Sequence, residues 1–203
     1  MTPAAYQSGT LLVGAIAPET EAEGPGRRFA LWLQGCSIRC AGCCNPHLFE
    51  TAGGSVVTVG ELLDQIEAVR ARIEGITFLG GEPFDQAGPA AALARGVHKL
   101  GLSVVVFTGF RLEELRGKEA CDLISAADVV IDGRYEAALP ERERRWVGST
   151  NQRFHYNSSR YGPEIERPMH GEPLRSVEVE LAPDGRLRAN GWPALVSLLR
   201  RRR

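Results

Sequence analysis

Four of the chain's five cysteines fall in the stretch GCSIRCAGCCNPH at residues 35–47, and the fifth is Cys121. Cys36, Cys40 and Cys43 stand in the spacing C-x3-C-x2-C, and Gly35 and Gly42 relax the backbone around a bulky ligand. Three thiolates at that spacing suit three corners of a cubane iron–sulfur cluster. Such a cluster normally takes four cysteines, so a set of three leaves one iron open to an outside ligand. Cys44 is a poor fourth ligand because it adjoins Cys43, and successive side chains on an extended backbone point in opposite directions. The competing reading is structural zinc on Cys36, Cys40, Cys43 and Cys44 or His47, although such sites usually join two separated ligand pairs. Cys44 and Cys121 otherwise read as packed thiols, since free cysteine behaves as a small buried hydrophobe.

The elements that must position these thiols alternate along the chain. A β-type run, RFALWLQ at 28–34, leads straight into the cysteines. Thr58 then reads as an N-cap, with Glu61 completing a capping box, and Leu62, Leu63, Ile66, Val69 and Ile73 give one apolar helical stripe. Next come a short strand at Ile76–Leu79, an Ala-rich helix near Ala87–Leu100, and the apolar run LSVVVFTG at 102–109, a pattern of parallel sheets covered on both faces. A helix at Arg111–Ala126, interrupted at Gly117, precedes the strand ADVVIDG at 127–133. This alternation predicts an α/β fold whose right-handed crossovers place the C-terminal strand ends on one rim. The cysteines, Gly80-Gly81-Glu82, Thr108-Gly109 and Asp132-Gly133 all fall at or just after strand ends, where ligands bind in parallel α/β sheets.

Beyond Tyr135 the sequence is polar and punctuated and reads as a loop or cap over the sheet edge. Val177, Val179 and Leu181 alternate ahead of Asp184-Gly185, which predicts a β-hairpin from Val177 to Leu187. A single domain spanning 1–203 is expected, with its core at about 28–134 and the loop, hairpin and basic tail at 135–203.

Composition excludes several classes. The net charge of −1 argues against a nucleic-acid surface, and the run Arg200–Arg203 reads as a solvated terminus. No stretch is long and apolar enough for a bilayer, and the N-terminus lacks the pattern of a secretory leader, so a cytoplasmic protein is expected. In a reducing compartment an odd, clustered set of five cysteines is a poor disulfide framework and a good metal-binding one.

At these residues the sequence resembles the radical S-adenosylmethionine (SAM) enzymes, whose hallmark is C-x3-C-x2-C. LGGEP at 79–83 resembles their GGE motif, and FTG at 107–109 a related strand-end turn. GCSIRCAGCCNP, DVVIDGRYE at 128–136 and RWVGSTNQRFH at 145–155 together resemble the small activating enzymes of anaerobic ribonucleotide reductase. The resemblance implies an incomplete (β/α) barrel, here with the added C-terminal hairpin. It also implies a [4Fe-4S] cluster on Cys36, Cys40 and Cys43, with SAM chelating the open iron. Gly80, Gly81 and Glu82 would receive the SAM ammonium, Pro83 would stiffen the turn, and Thr108 and Asp132 are further cofactor-binding candidates. The implied activity is reductive cleavage of SAM to a 5′-deoxyadenosyl radical that generates a glycyl radical on a large protein partner. The implied electron donor is a reduced flavodoxin- or ferredoxin-type protein. Direct modification of a peptide or metabolite, and a non-catalytic iron–sulfur or zinc module, remain as alternatives.

Other residues read more plainly. His47 lies near the cluster loop, His98 on a helix surface, and His155 and His170 in the irregular segment without assigned roles. Trp32 and Phe107 read as core, and Trp146 as either a packing anchor or part of a partner surface.

Overall fold

A computed structural model describes residues 9–168, 174–181 and 187–192. His170, the Asp184-Gly185 turn and Arg200–Arg203 lie outside the described residues. Seven strands form one sheet: β1 (Thr10–Thr20), β2 (Arg28–Leu33), β3 (Ser55–Thr58), β4 (Gly75–Gly80), β5 (Ser103–Phe107), β6 (Val129–Asp132) and β7 (Arg153–Tyr156). Their order is β3-β1-β2-β4-β5-β6-β7. The block β2-β4-β5-β6 is parallel, with Phe29 opposite Ile76, Ile76 opposite Val104 and Val105 opposite Val129. Antiparallel strands β1, β3 and β7 flank it.

Helices α1 (Val59–Val69), α2 (Ala87–Lys99) and α3 (Lys118–Ser125) supply the crossovers. The expected capping box starts α1: Thr58 Oγ1 accepts from the Glu61 N–H at 3.1 Å, and the Glu61 carboxylate accepts from the Thr58 N–H at 2.8 Å. Gly117, at φ 91°, breaks the expected Arg111–Ala126 helix into a short 3-10 turn and α3.

The two faces of the sheet differ. Phe29, Leu31, Leu33, Ile76, Phe78, Val104, Val106 and Val130 form one core with Leu62 and Ile66 of α1, Leu93 and Val97 of α2 and Leu123 of α3. On the other face Val105, Val129 and Ile131 pack with Val147, Phe154, Tyr156 and Tyr161 of the segment after β6. That cover does not reach the strand ends of β2 and β4, where a cavity opens. Trp32 therefore differs from the expectation of core, being half-buried and lining the cavity, whereas Phe107 packs against the second core and also lines the cavity. Strand alternation explains this, because Leu31 and Leu33 turn to the helices and Trp32 must turn away.

Strands β8 (Val177–Leu181) and β9 (Leu187–Gly191) pair antiparallel as a separate ribbon. It docks where β1 turns toward β2: Asn190 Nδ2 donates to Thr20 Oγ1, the Gly191 N–H to the Glu23 carboxylate and the Glu21 N–H to the Glu178 carboxylate, each at 2.7 Å. Among the described residues no helix is long and apolar enough to cross a membrane. His98 is not a plain surface residue, because its Nε2 lies 3.0 Å from the Ala126 carbonyl and ties α2 to the loop before β6.

Candidate functional site

The cysteine loop is held from both sides. Gly35 N–H donates to the Leu48 carbonyl at 2.9 Å and Cys36 N–H to the Phe49 carbonyl at 3.0 Å, closing the loop on itself. The buried Gln34 amide donates to the Glu50, His47 and Ala52 carbonyls at 2.6, 3.2 and 3.2 Å. From the 3-10 turn after β4, Asp85 accepts from the Ser37 N–H and hydroxyl at 2.8 and 2.7 Å. Gln86 grips the Leu12 backbone and donates to the Gln34 carbonyl at 3.1 Å.

The Gly80-Gly81-Glu82 turn meets this loop main chain to main chain. Gly81 N–H donates to the Leu33 carbonyl at 2.7 Å and Glu82 N–H to the Gly35 carbonyl at 2.9 Å. A Cβ on Gly81 would sit 1.9 Å from the Gly35 oxygen, and one on Gly80, at φ 98°, would sit 2.6 Å from Leu33 N. No larger residue permits this approach, so the two glycines bring β4 against the thiols.

Cys36, Cys40 and Cys43 are free, half-buried and line one cavity of about 1280 Å³ with Gly80, Gly81, Glu82 and Thr108. The Cys44 thiol donates to Cys43, and together with the Asn45 N–H, 3.4 Å from the sulfur, this brings the Cys43 thiol down to about 6 against the opposing push of burial. Burial holds the Cys36 and Cys40 thiols above their ordinary value. The Cys44 thiol is raised, chiefly by its bond to Cys43. The two side chains meet because the chain bends at Cys44 rather than running extended. Both Cys44 and Cys121 are exposed, not packed as expected.

These residues fit an iron–sulfur cluster with an open position: a soft three-thiol donor set beside a glycine cradle. Among the described residues no three His, Cys, Asp or Glu side chains are already grouped to hold a single metal ion.

Glu82 is 1% exposed. Its Oε1 accepts from the Phe84 N–H at 2.9 Å and the Thr108 hydroxyl at 2.8 Å, and its Oε2 from the Gly109 N–H at 2.9 Å. Burial pushes its carboxyl up to about 7 in spite of these donors. Thr108 thus touches Glu82 as well as the cavity. Pro83 is buried in the following 3-10 turn and does not line the cavity.

Asp132 is placed apart from the expected cofactor contacts. Its carboxylate, fully buried, accepts from the Leu112 N–H at 2.8 Å and from Arg153 at 2.9 and 2.5 Å, and His155 Nε2 lies 3.1 Å away. Burial is the largest influence and raises its pKa, but Arg153, the Leu112 N–H and His155 together outweigh it and hold the carboxyl below the ordinary value. Asp132 anchors β7 to β6 and is not among the residues that line the cavity.

In and beside the segment 145–155 some residues brace the loop and others face the cavity. Arg144, Ser149 and Gln152 bond within the loop: Gln152 Oε1 accepts from the Gly148 and Ser149 N–H groups at 2.8 and 3.1 Å, and Arg144 bonds Glu141 at 2.6 Å. Arg145 and Trp146 line the cavity. Trp146 holds a left-handed backbone at φ 62°, which costs a residue with a Cβ about 1 to 2 kcal/mol. Sequence reasoning missed Tyr135, which lines the cavity and packs against the positions of Gly42 and Gly148. It also missed the polar clamps Gln34, Asp85 and Gln86. Asp85 and Gln86 follow GGEPF directly, which is the one signal that could have found them.

Comparison with known proteins adds to this geometry. The family described as 4Fe-4S single cluster domain matches residues 22–155. The anaerobic ribonucleoside-triphosphate reductase-activating protein of Salmonella typhi is 31% identical over 141 residues, covering 66% of this chain and 90% of its own. The protein of that name from Enterobacteria phage T4 is 31% identical over 153 residues, covering 70% and 92%. Among solved structures, the crystal structure of QueE from Escherichia coli aligns with a TM-score of 0.41 at 20% identity, over 49% of this chain and 53% of that one.

Proposed function

The chain belongs to the 4Fe-4S single cluster domain family and to the family of anaerobic ribonucleoside-triphosphate reductase-activating proteins, and from that premise we propose how its residues act. It is a radical SAM enzyme of the activating type, which generates a glycyl radical on the anaerobic reductase. The observation that carries this reading is the seam between two motifs: three reduced thiols after β2 and a Gly-Gly-Glu turn after β4, bonded main chain to main chain around one cavity.

Cys36, Cys40 and Cys43 would hold the [4Fe-4S] cluster, and when bound and reduced it would supply the electron for the SAM cleavage that leads to hydrogen-atom abstraction from the target glycine. Gly80 and Gly81 bring backbone carbonyls to the SAM ammonium, and Glu82 offers it a carboxylate whose orientation Thr108 and Gly109 fix. Pro83 stiffens that turn from behind, and Asp132 supports the β6 end through Arg153. Trp32 and Phe107 give the cavity apolar walls, which exclude water from a reactive radical. Cys44 donates to the Cys43 sulfur and tunes it without binding iron. The sheet curls as an incomplete (β/α) barrel within one domain, closed by the β8–β9 hairpin. The electron donor is a reduced flavodoxin- or ferredoxin-type protein, and free, clustered thiols suit a reducing cytoplasm.

Anaerobic reconstitution with iron and sulfide, followed by SAM and a reductant, tests this. The expected result is about four irons per chain, 5′-deoxyadenosine as product and a glycyl radical on added reductase by electron paramagnetic resonance. A protein that took up one zinc and no iron would overturn it.

A further inference from the structure

Resting on that activation reading, we propose that the β8–β9 ribbon and the loop at 140–149 form a receiving wall for an extended, glycine-bearing segment of the partner protein. The ribbon lies beyond residue 155, where the 4Fe-4S family match ends, yet it faces the shared chemistry. Val179, Ala189, Asn190 and Trp192 line the same cavity as the three cysteines. At about 1280 Å³ that cavity exceeds the roughly 300–1,000 Å³ usual for a small-molecule site, which leaves room beside SAM.

The wall carries two arginine-stacked tryptophans. The Arg145 guanidinium lies 4.7 Å from the Trp146 ring centre, and that of Arg175 lies 4.2 Å from the Trp192 ring centre. Both pairs are fixed to one loop: Arg175 donates to the Glu141 carbonyl at 3.0 Å, and the Glu141 N–H donates to the Gly148 carbonyl at 3.1 Å. Tryptophan and arginine carry a disproportionate share of binding energy in protein interfaces. The left-handed backbone of Trp146 belongs to the strained conformations that cluster at functional sites. Outward from the cavity the apolar strip continues through Val179 and Leu181, 52% and 68% exposed.

The chemistry selects the occupant. Hydrogen-atom transfer needs the reacting carbon in contact with the cofactor, so a protein substrate must bring main chain into the cavity. A segment that lies extended along a wall can present a glycine Cα to the cofactor. Among the described residues β8 and β9 pair only with each other, so the ribbon offers a strand edge for such a segment.

The test uses the full-length reconstituted enzyme with the anaerobic reductase as partner, comparing wild type with Val179→Asp and Trp192→Ala. Val179 is 52% exposed, so the circular dichroism and thermal midpoint of Val179→Asp should match wild type. We expect iron content and uncoupled 5′-deoxyadenosine formation within about twofold of wild type, while affinity for the reductase falls by about tenfold or more and glycyl-radical yield falls in parallel. Unchanged affinity and yield in both variants would overturn the proposal, as would a loss of iron and SAM cleavage equal to the loss of radical transfer. A wild-type enzyme that cleaves SAM but leaves no radical on the reductase would instead overturn the activation reading itself.

Discussion

The sheet buries a charge at each end, and the two are treated oppositely. At the N-terminal end of β2, Arg28 is fully buried and bonds Thr77 Oγ1 at 3.1 Å, Ser103 Oγ at 2.7 Å, Tyr161 OH at 3.0 Å and the Ile76 carbonyl. Tyr161 in turn bonds Glu74. At the rim, Glu82 is as deeply buried but looks into a cavity and meets only neutral donors. Burial pushes both toward the uncharged form, Glu82 up to about 7 and Arg28 below the ordinary arginine value. A buried charge surrounded by partners holds the fold, whereas a buried charge left with an open side awaits a ligand of opposite sign.

The contrast breaks most sharply if rim chemistry can be removed without harm to the fold. Cys36→Ala, Cys40→Ala or Cys43→Ala should abolish iron binding and SAM cleavage while the thermal midpoint of the cluster-free protein barely moves. Cys44→Ala should keep most of both, and a Cys44 variant that lost its iron would add a fourth ligand. At the other end Arg28→Met strands several buried acceptors. Stability should drop by about 3 kcal/mol in urea, with the iron content of the folded fraction unchanged.

Glu82 sharpens the comparison through pH. Its folded pKa of about 7 lies above the unfolded value of 4.5, so the folded state holds a proton that the unfolded state releases. Its contribution is complete below about pH 4.5 and fades as pH rises to about 7, by up to about 3 kcal/mol in the cluster-free protein. Urea midpoints across that window should fall in wild type and flatten in Glu82→Gln. In the loaded enzyme Glu82→Ala should weaken SAM by about 1.5 to 3 kcal/mol, roughly ten- to a hundred-fold, and unchanged affinity would remove Glu82 from the site. The smallest effect belongs to Cys121. It is exposed and far from the rim, so Cys121→Ser should shift stability by less than about 0.5 kcal/mol.

The sequence carried the parallel core well, because β2, β4, β5 and β6 are local apolar runs separated by periodic helices, and α1 announces itself in the Thr58–Glu61 box. The thiols and the glycine turn were equally visible, since their spacing is the chemistry. What escaped depends on long-range geometry. Asp132 looked like a rim ligand until Arg153, brought alongside by β7, claimed its carboxylate. Trp32 was read as core from its strand alternation, but that alternation with Leu31 and Leu33 turns it to the face where the cavity opens. Nothing local to Trp192 says that it meets the cavity of Cys36.

The ribbon's attachment also has a consequence in time. Its bonds to Thr20, Glu23 and Glu21 join residues 170, 168 and 157 positions apart, the longest closures described in the chain. Loop-closure entropy grows with separation, and the C-terminus leaves the ribosome last. The cysteine loop, stitched to β4 by far shorter closures, is therefore complete while one side of its cavity still stands open. Iron and sulfide delivered at that stage would meet an unroofed site, which the ribbon would then close over.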